Sequence, residues 1–151
     1  FMAKALKEKD YVSGCTKWIM DSGCSSHMTE DKSLFVNPNL TTSSQKYITF
    51  GDNNKGKVIG LGKIAISKDK NIDDVLLVQS LGFNLMSVGK LCDLGMLVQF
   101  SISKCIVFMA SDNSFIFKGN RKGELYIVDF SKGPSVQTCF LAKATEGWPW
   151  H

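Results

Sequence analysis

Residues 18–29 read Trp-Ile-Met-Asp-Ser-Gly-Cys-Ser-Ser-His-Met-Thr, and this stretch carries most of the information about the fold. The apolar run 18–20 stops at Asp21, and Ser22-Gly23 follows, which is typical of a buried strand that runs into a turn. A carboxylate directly after a buried strand is unusual, because burial raises the free-energy cost of its charge. Asp21 is therefore a candidate for chemistry and not only for turn formation.

The two residues after Asp21 indicate how its carboxylate could work. Ser22 offers a hydroxyl that can hold the loop by hydrogen bonds, and Gly23 lets a second backbone approach closely. If two such loops meet across a two-fold axis, two carboxylates lie about 3 Å apart and share one proton. One carboxylate then acts as general base on water, and the other, as general acid, hydrogen-bonds the scissile carbonyl.

The string Asp-Ser-Gly-Cys-Ser-Ser-His-Met-Thr, residues 21–29, resembles the catalytic loop of retropepsins, in the version found in Gag-Pol polyproteins of copia-type LTR retrotransposons. The resemblance implies an aspartic endopeptidase that works as a homodimer, with one Asp21 from each copy and without a cofactor. Ser22 and Gly23 take the role of catalytic-loop support. The implied substrate is the element's own polyprotein, and the implied location is its virus-like particle in the cytoplasm.

The chain after this loop has a pattern similar to the retropepsin order of elements. Residues 47–66 predict a hairpin where the retropepsin flap belongs, with its tip near 51–56, and Phe50, Gly51 and Asp52 are candidate substrate-binding residues. Apolar strands are predicted at 75–78 and 97–100, with a helix over 87–94 between them that Gly95 ends. We therefore expect an all-β, retropepsin-like closed β-barrel with one short helix, a flap hairpin and a C-terminal β extension.

The expected organisation is an N-terminal segment (1–10), a protease core (11–100), a β extension (101–130) and a linker towards integrase (131–151). Phe140-Leu141 in that linker is a candidate processing site, because retropepsins favour large apolar residues. The extension departs from the retroviral pattern. Our hypothesis is that it supplies the sheet pairing that chain termini supply in retroviral enzymes.

A second departure precedes the helix. Retropepsins have two apolar residues and then glycine there, whereas this chain has Leu85-Met86-Ser87, with Gly89 two positions late. The sequence alone therefore does not say how the catalytic loop is supported from this side.

Composition excludes several classes of protein. The 151 residues suit one domain, and a net charge of +4 from scattered lysines does not predict a nucleic-acid partner for this fragment. No apolar run is long enough to predict a membrane span or a signal peptide. Five cysteines at irregular spacing predict reduced thiols rather than a disulfide framework.

Other interpretations of the site compete with the protease. Cys24 and His27 could be half of a zinc site, but structural zinc needs four ligands and no second tight pair exists. A serine hydrolase would need a nucleophile elbow that the chain lacks. Otherwise Cys24 packs as a small apolar residue and His27 binds a nearby backbone group. The main alternative is an inactive or domesticated retropepsin fold that dimerises or binds peptides.

Overall fold

Residues 15–37, 39–50 and 53–131 are described by the computed structural model. They form a mostly β domain with a single short α-helix and one short 3-10 helix. The ten strands are β1 (Lys17–Asp21), β2 (His27–Thr29), β3 (Tyr47–Phe50), β4 (Asn54–Ala65), β5 (Asn71–Val78), β6 (Leu85–Ser87), β7 (Met96–Phe100), β8 (Lys104–Met109), β9 (Phe115–Lys122) and β10 (Leu125–Asp129). Helix α1 spans Val88–Asp93, and the 3-10 helix spans Lys32–Leu34.

The strands join in the order β3-β4-β5-β2-β6-β1-β10-β9-β8-β7. Strand β1 lies inside this ladder, parallel to β6 and antiparallel to β10. The predicted strands at 75–78 and 97–100 and the predicted helix are confirmed. Ser87 caps the helix N-terminus by accepting the Lys90 N–H, and Gly95 follows its end with φ +84°.

The expected closed β-barrel is wrong for the described residues, because the ladder has two open edges at β3 and β7. The cause is the path of residues 101–130. Strands β7 to β10 form a meander, and its last strand pairs with β1. That pairing leaves β7 at one edge of the sheet and β3 at the other, and no pairing joins the two among the described residues.

Side chains alternate along the central strands, so both faces of the sheet carry a core. Ile19 of β1 and Leu85 of β6 belong to one buried cluster, whereas Trp18, Met20 and Met86 belong to the other. The first cluster is covered by the β3–β4 hairpin through Ile48 and Val58. The second cluster is covered by residues of β4, α1, β8 and β9: Ile64, Leu91, Cys105, Val107 and Phe117. Strand β1 is thus held from both faces, which fixes where its last residue lies.

Cysteine chemistry differs in part from the sequence prediction. Cys15 is disulfide-bonded, so the prediction of reduced thiols is wrong for this residue. Cys24, Cys92 and Cys105 are free. Within the described residues, no helix is long and apolar enough to cross a membrane.

Gly119 of β9 marks the tightest contact of the C-terminal meander. A Cβ at this position would lie 2.6 Å from the carbonyl oxygen of Ile127 and 3.0 Å from Sγ of Cys105. We expect Gly119→Ala to lower the free energy of unfolding by about 1–3 kcal/mol, because the backbone of β10 must move. Urea unfolding followed by tryptophan fluorescence measures the change.

Gly89→Ala is the matched control, since its Cβ would meet nothing closer than 3.9 Å and the residue lies in α1. Alanine at position 89 should leave the free energy of unfolding unchanged or raise it by up to about 1 kcal/mol. Equal destabilisation by the two variants would show that the approach of β9 to β10 is not tight in solution.

Candidate active site at the end of strand β1

Asp21 is the last residue of β1, and its side chain is only 4% exposed. Oδ1 accepts the backbone N–H of Gly23 at 2.7 Å, which closes a tight turn. Oδ2 is buried and has no hydrogen-bond partner among the described residues. Since a buried acceptor left unpaired costs about 1–3 kcal/mol, this oxygen needs a functional or structural explanation.

The turn after Asp21 presents its backbone at the surface. Ser22 and Gly23 are both exposed. A Cβ on Gly23 would lie 3.2 Å from Oδ1 of Asp21, so glycine permits the close return of the chain. Within the described residues the Ser22 hydroxyl makes no hydrogen bond, and the part that it plays in loop support stays a prediction.

Support for the loop comes instead from Ser87, which the sequence presented as a departure. Asp21 and Ser87 are register partners in the parallel pairing of β1 and β6. The Ser87 hydroxyl donates to the carbonyl of Cys24 at 2.8 Å, and its backbone N–H donates to Nδ1 of His27 at 2.9 Å. The same residue therefore ties the strand end, the loop and the following strand together.

His27 holds this arrangement as a neutral acceptor. Its side chain is 1% exposed, and burial, with a smaller contribution from the positive charge of Lys90, lowers its pKa to about 4. With Nδ1 accepting, the proton lies on Nε2, which is buried without a partner among the described residues. The interpretation that His27 binds a nearby backbone group is confirmed.

Cys24 packs against the core as an uncharged thiol. Burial, followed by the charge of Asp21, raises its pKa to about 12. Its Sγ donates weakly to the Asp21 carbonyl at 3.6 Å. A thiol that is held neutral in this way is a weak nucleophile. No group of three or more metal-binding side chains occurs in the described part of the chain.

Asn84 fixes the other end of β1. Its side-chain amide donates to the carbonyls of Cys15 and Lys17, both at 3.0 Å, and its Oδ1 accepts the Thr29 hydroxyl at 2.5 Å. Asn84 and Thr29 are both fully buried. Sequence patterns gave no sign of this network, because its partners are 55 to 69 residues apart.

The predicted flap hairpin is present as β3 and β4, which pair from Tyr47↔Lys57 to Phe50↔Asn54. The backbone of Phe50 belongs to β3. Gly51 and Asp52 lie outside the described residues, so their predicted contact with substrate stays a prediction. The linker predicted over 131–151 also lies outside the described residues from position 132 onward.

Comparison with known proteins places the chain in a family. Residues 18–96, about half of the chain, match the model of the Pol polyprotein beta-barrel domain. The chain belongs to this family. It is also 37% identical over 73 residues to a Saccharomyces cerevisiae protein named for the transposon Ty5-1.

The aligned part is 48% of each sequence, so this chain matches about half the length of that relative. No solved structure matches the chain. The findings agree with the coarser part of the sequence prediction, a domain derived from a retrotransposon Pol polyprotein.

Proposed function

We propose that the chain is the aspartic endopeptidase of a copia-type retrotransposon, acting on its own Gag-Pol polyprotein. The observation that carries the proposal is the carboxylate of Asp21, at the end of a strand that is buried on both faces. Its Oδ1 accepts a hydrogen bond from the Gly23 N–H, and its Oδ2 has no hydrogen-bond partner among the described residues. The Asp-Ser-Gly string, the Pol polyprotein family and the transposon relative support the same function.

The mechanism needs two copies of the chain. The exposed Ser22-Gly23 turn is the part of the loop that a second copy can approach. Two Asp21 carboxylates that meet there share one proton, so the unpaired Oδ2 atoms gain partners in each other. One carboxylate takes a proton from water, and the other hydrogen-bonds the peptide carbonyl. Activity falls as pH rises and the pair loses its shared proton.

Substrate would bind as an extended strand beneath two β3–β4 hairpins. Main-chain hydrogen bonds then supply affinity, and pockets for alternate side chains supply specificity. Tyr47 on β3 and Ile59 on β4 are 60% and 47% exposed, so the hairpin carries apolar surface that a peptide can cover.

One observation favours the alternative, a dimerisation or peptide-binding module without activity. Asp21 is almost inaccessible in the single chain, and a general base must reach water. The two functions therefore differ in whether assembly opens a path for water to this carboxylate.

The test is self-processing of a longer polyprotein fragment that contains the chain, followed by intact mass over a dilution series. We expect specific cleavage whose rate per molecule falls on dilution, because the dimer dissociates. Cleavage at Phe140-Leu141 would give a diagnostic mass.

Light scattering on the same samples separates the outcomes. Folded dimers that are never cut would support the inactive module. Cleavage with a rate per molecule that is independent of concentration, in samples that scatter as monomers, would disprove the shared site.

A further inference from the structure

A concave site lies at the opposite end of β1 from Asp21. It is a cleft of about 870 Å³ between the turn after β4, strand β9 and the residues that follow β10. Lys17, the first residue of β1, lines it, and Asp21 lies four positions further along the strand, about 13 Å away. The volume is in the range of sites for small ligands or short peptide segments.

The lining of this cleft, here called the lysine cleft, carries mostly positive charge. The cleft is lined by four lysines and one carboxylate: Lys17, Lys68, Lys118, Lys122 and Asp129. The Asp129 carboxylate already accepts from the Thr16 hydroxyl at 2.7 Å and from the Ser131 N–H at 2.9 Å. In the described part of the chain the one salt bridge is Lys63–Asp73, so none of the four lysines is neutralised there.

The walls of the lysine cleft are apolar. Phe115 is 59% exposed, and Ile127 and Phe130 are half-buried beside it. Phe130 packs edge-on against Phe117 with ring centroids 5.1 Å apart, which makes a firm wall. A large aromatic residue that remains in water at a concave surface is a common sign of a binding site.

We propose that the lysine cleft binds an acidic peptide segment that inserts a large apolar side chain. The acidic residues face the unpaired lysines, and the apolar residue covers Phe115 and Phe130. This site is separate from the one proposed for catalysis, and it does not depend on whether Asp21 is catalytic.

The lining favours a peptide over a nucleic acid. Single-stranded nucleic acid binds along a charged groove with stacking faces at intervals, and phosphate oxygens prefer arginine forks. Here the cations are lysines that line the cleft together with apolar residues, and a carboxylate lies among them. That carboxylate repels a regularly charged phosphate backbone, whereas a peptide can place its charges away from it.

The test uses the full chain with Asp21→Asn, so that a bound peptide stays intact. Fluorescence anisotropy measures the affinity for a labelled peptide of about ten residues that contains Asp and Glu around two Phe. A matched peptide with Lys at every acidic position and a labelled oligouridylate of similar length are the other probes.

We expect the acidic peptide alone to bind, and Lys118→Glu/Lys122→Glu to weaken its binding by roughly tenfold at low salt. Lys46→Glu/Lys57→Glu is the matched control, because it makes the same charge change on exposed lysines of the β3–β4 hairpin. For the apolar contact, Phe115→Ser is compared with Phe100→Ser on β7, which lies outside the cleft; the two residues are 59% and 42% exposed. Only the cleft variants should weaken binding.

Three results would overturn the proposal. One is equal binding of the acidic and basic peptides. Another is weakening by the hairpin variant but not by the cleft variants, which would place the peptide at the β3–β4 hairpin. The third is binding of oligouridylate without binding of the acidic peptide, which would make the cleft a nucleic-acid site.

Discussion

Replacing Asp21 by Asn should abolish self-processing, with a rate lower by roughly 10⁴-fold or more, because the variant cannot accept the proton of the attacking water. The variant should still fold. The side-chain oxygen of Asn can accept the Gly23 N–H at the position of Oδ1. Its amide nitrogen then takes the position of Oδ2, which is already a buried atom without a hydrogen-bond partner among the described residues. We therefore expect the melting temperature to change by only a few degrees and the oligomeric state to be retained.

The measurement compares intact masses of the polyprotein fragment with and without the substitution, beside thermal unfolding of both. Asp73→Asn is the control, since it removes one carboxylate from an exposed position whose only ion pair in the described structure is to Lys63, at 3.6 Å. Cleavage should be lost in the first variant alone. A folded, dimeric Asp21→Asn chain that still cuts its polyprotein would remove Asp21 from the mechanism.

The stability of the protein should fall as pH drops from about 6.5 to about 4, and His27 should account for much of the change. The folded pKa of His27 is about 4, against an ordinary value of 6.5. As pH falls, His27 is protonated in the unfolded chain at a higher pH than in the folded protein. The contribution of neutral His27 to stability is therefore fully present above pH 6.5, declines between pH 6.5 and about 4, and is lost below about 4. The shift corresponds to about 3 kcal/mol of unfolding free energy.

His27→Asn tests this origin, because an asparagine oxygen can accept the Ser87 N–H without titrating. Lys90, whose positive charge also lowers the pKa of the His27 ring, remains in place. Urea unfolding by tryptophan fluorescence between pH 4 and 7 should give a shallower pH dependence for the variant than for the wild type.

His27→Leu should cost about 1–3 kcal/mol even at neutral pH, because it leaves the Ser87 N–H buried and unpaired. An equal pH dependence of the free energy of unfolding for wild type and His27→Asn would show that protonation of His27 does not cause the loss of stability in acid.

The sequence predicted the parts of the fold that depend on neighbouring residues. Strands with local apolar runs, such as β5, and the helix between Ser87 and Gly95 follow from periodicity and capping. The position of Asp21 at the end of a strand was predicted from the same kind of local pattern, an apolar run that stops at a turn. The Asp-Ser-Gly string is the sequence basis of the chemistry that we propose.

Features that depend on distant partners were not predictable in this way. Strand β2 consists of His27, Met28 and Thr29. Its two polar residues, His27 and Thr29, can be buried because they form hydrogen bonds with Ser87 and Asn84. Those partners are 60 and 55 residues away. The open edges of the sheet also depend on how β10 pairs, since alternation within a strand does not reveal its neighbours.

The pairing of β1 with β10 sets an order of events during protein synthesis. Ile19 lies opposite Ile127, so more than one hundred residues must leave the ribosome between the two halves of this ladder. At the usual speed of translation that interval is about five to twenty seconds. Until then β1 lacks one of its two neighbours, and the strand that carries Asp21 is incomplete. The domain therefore cannot finish folding until this delay has passed.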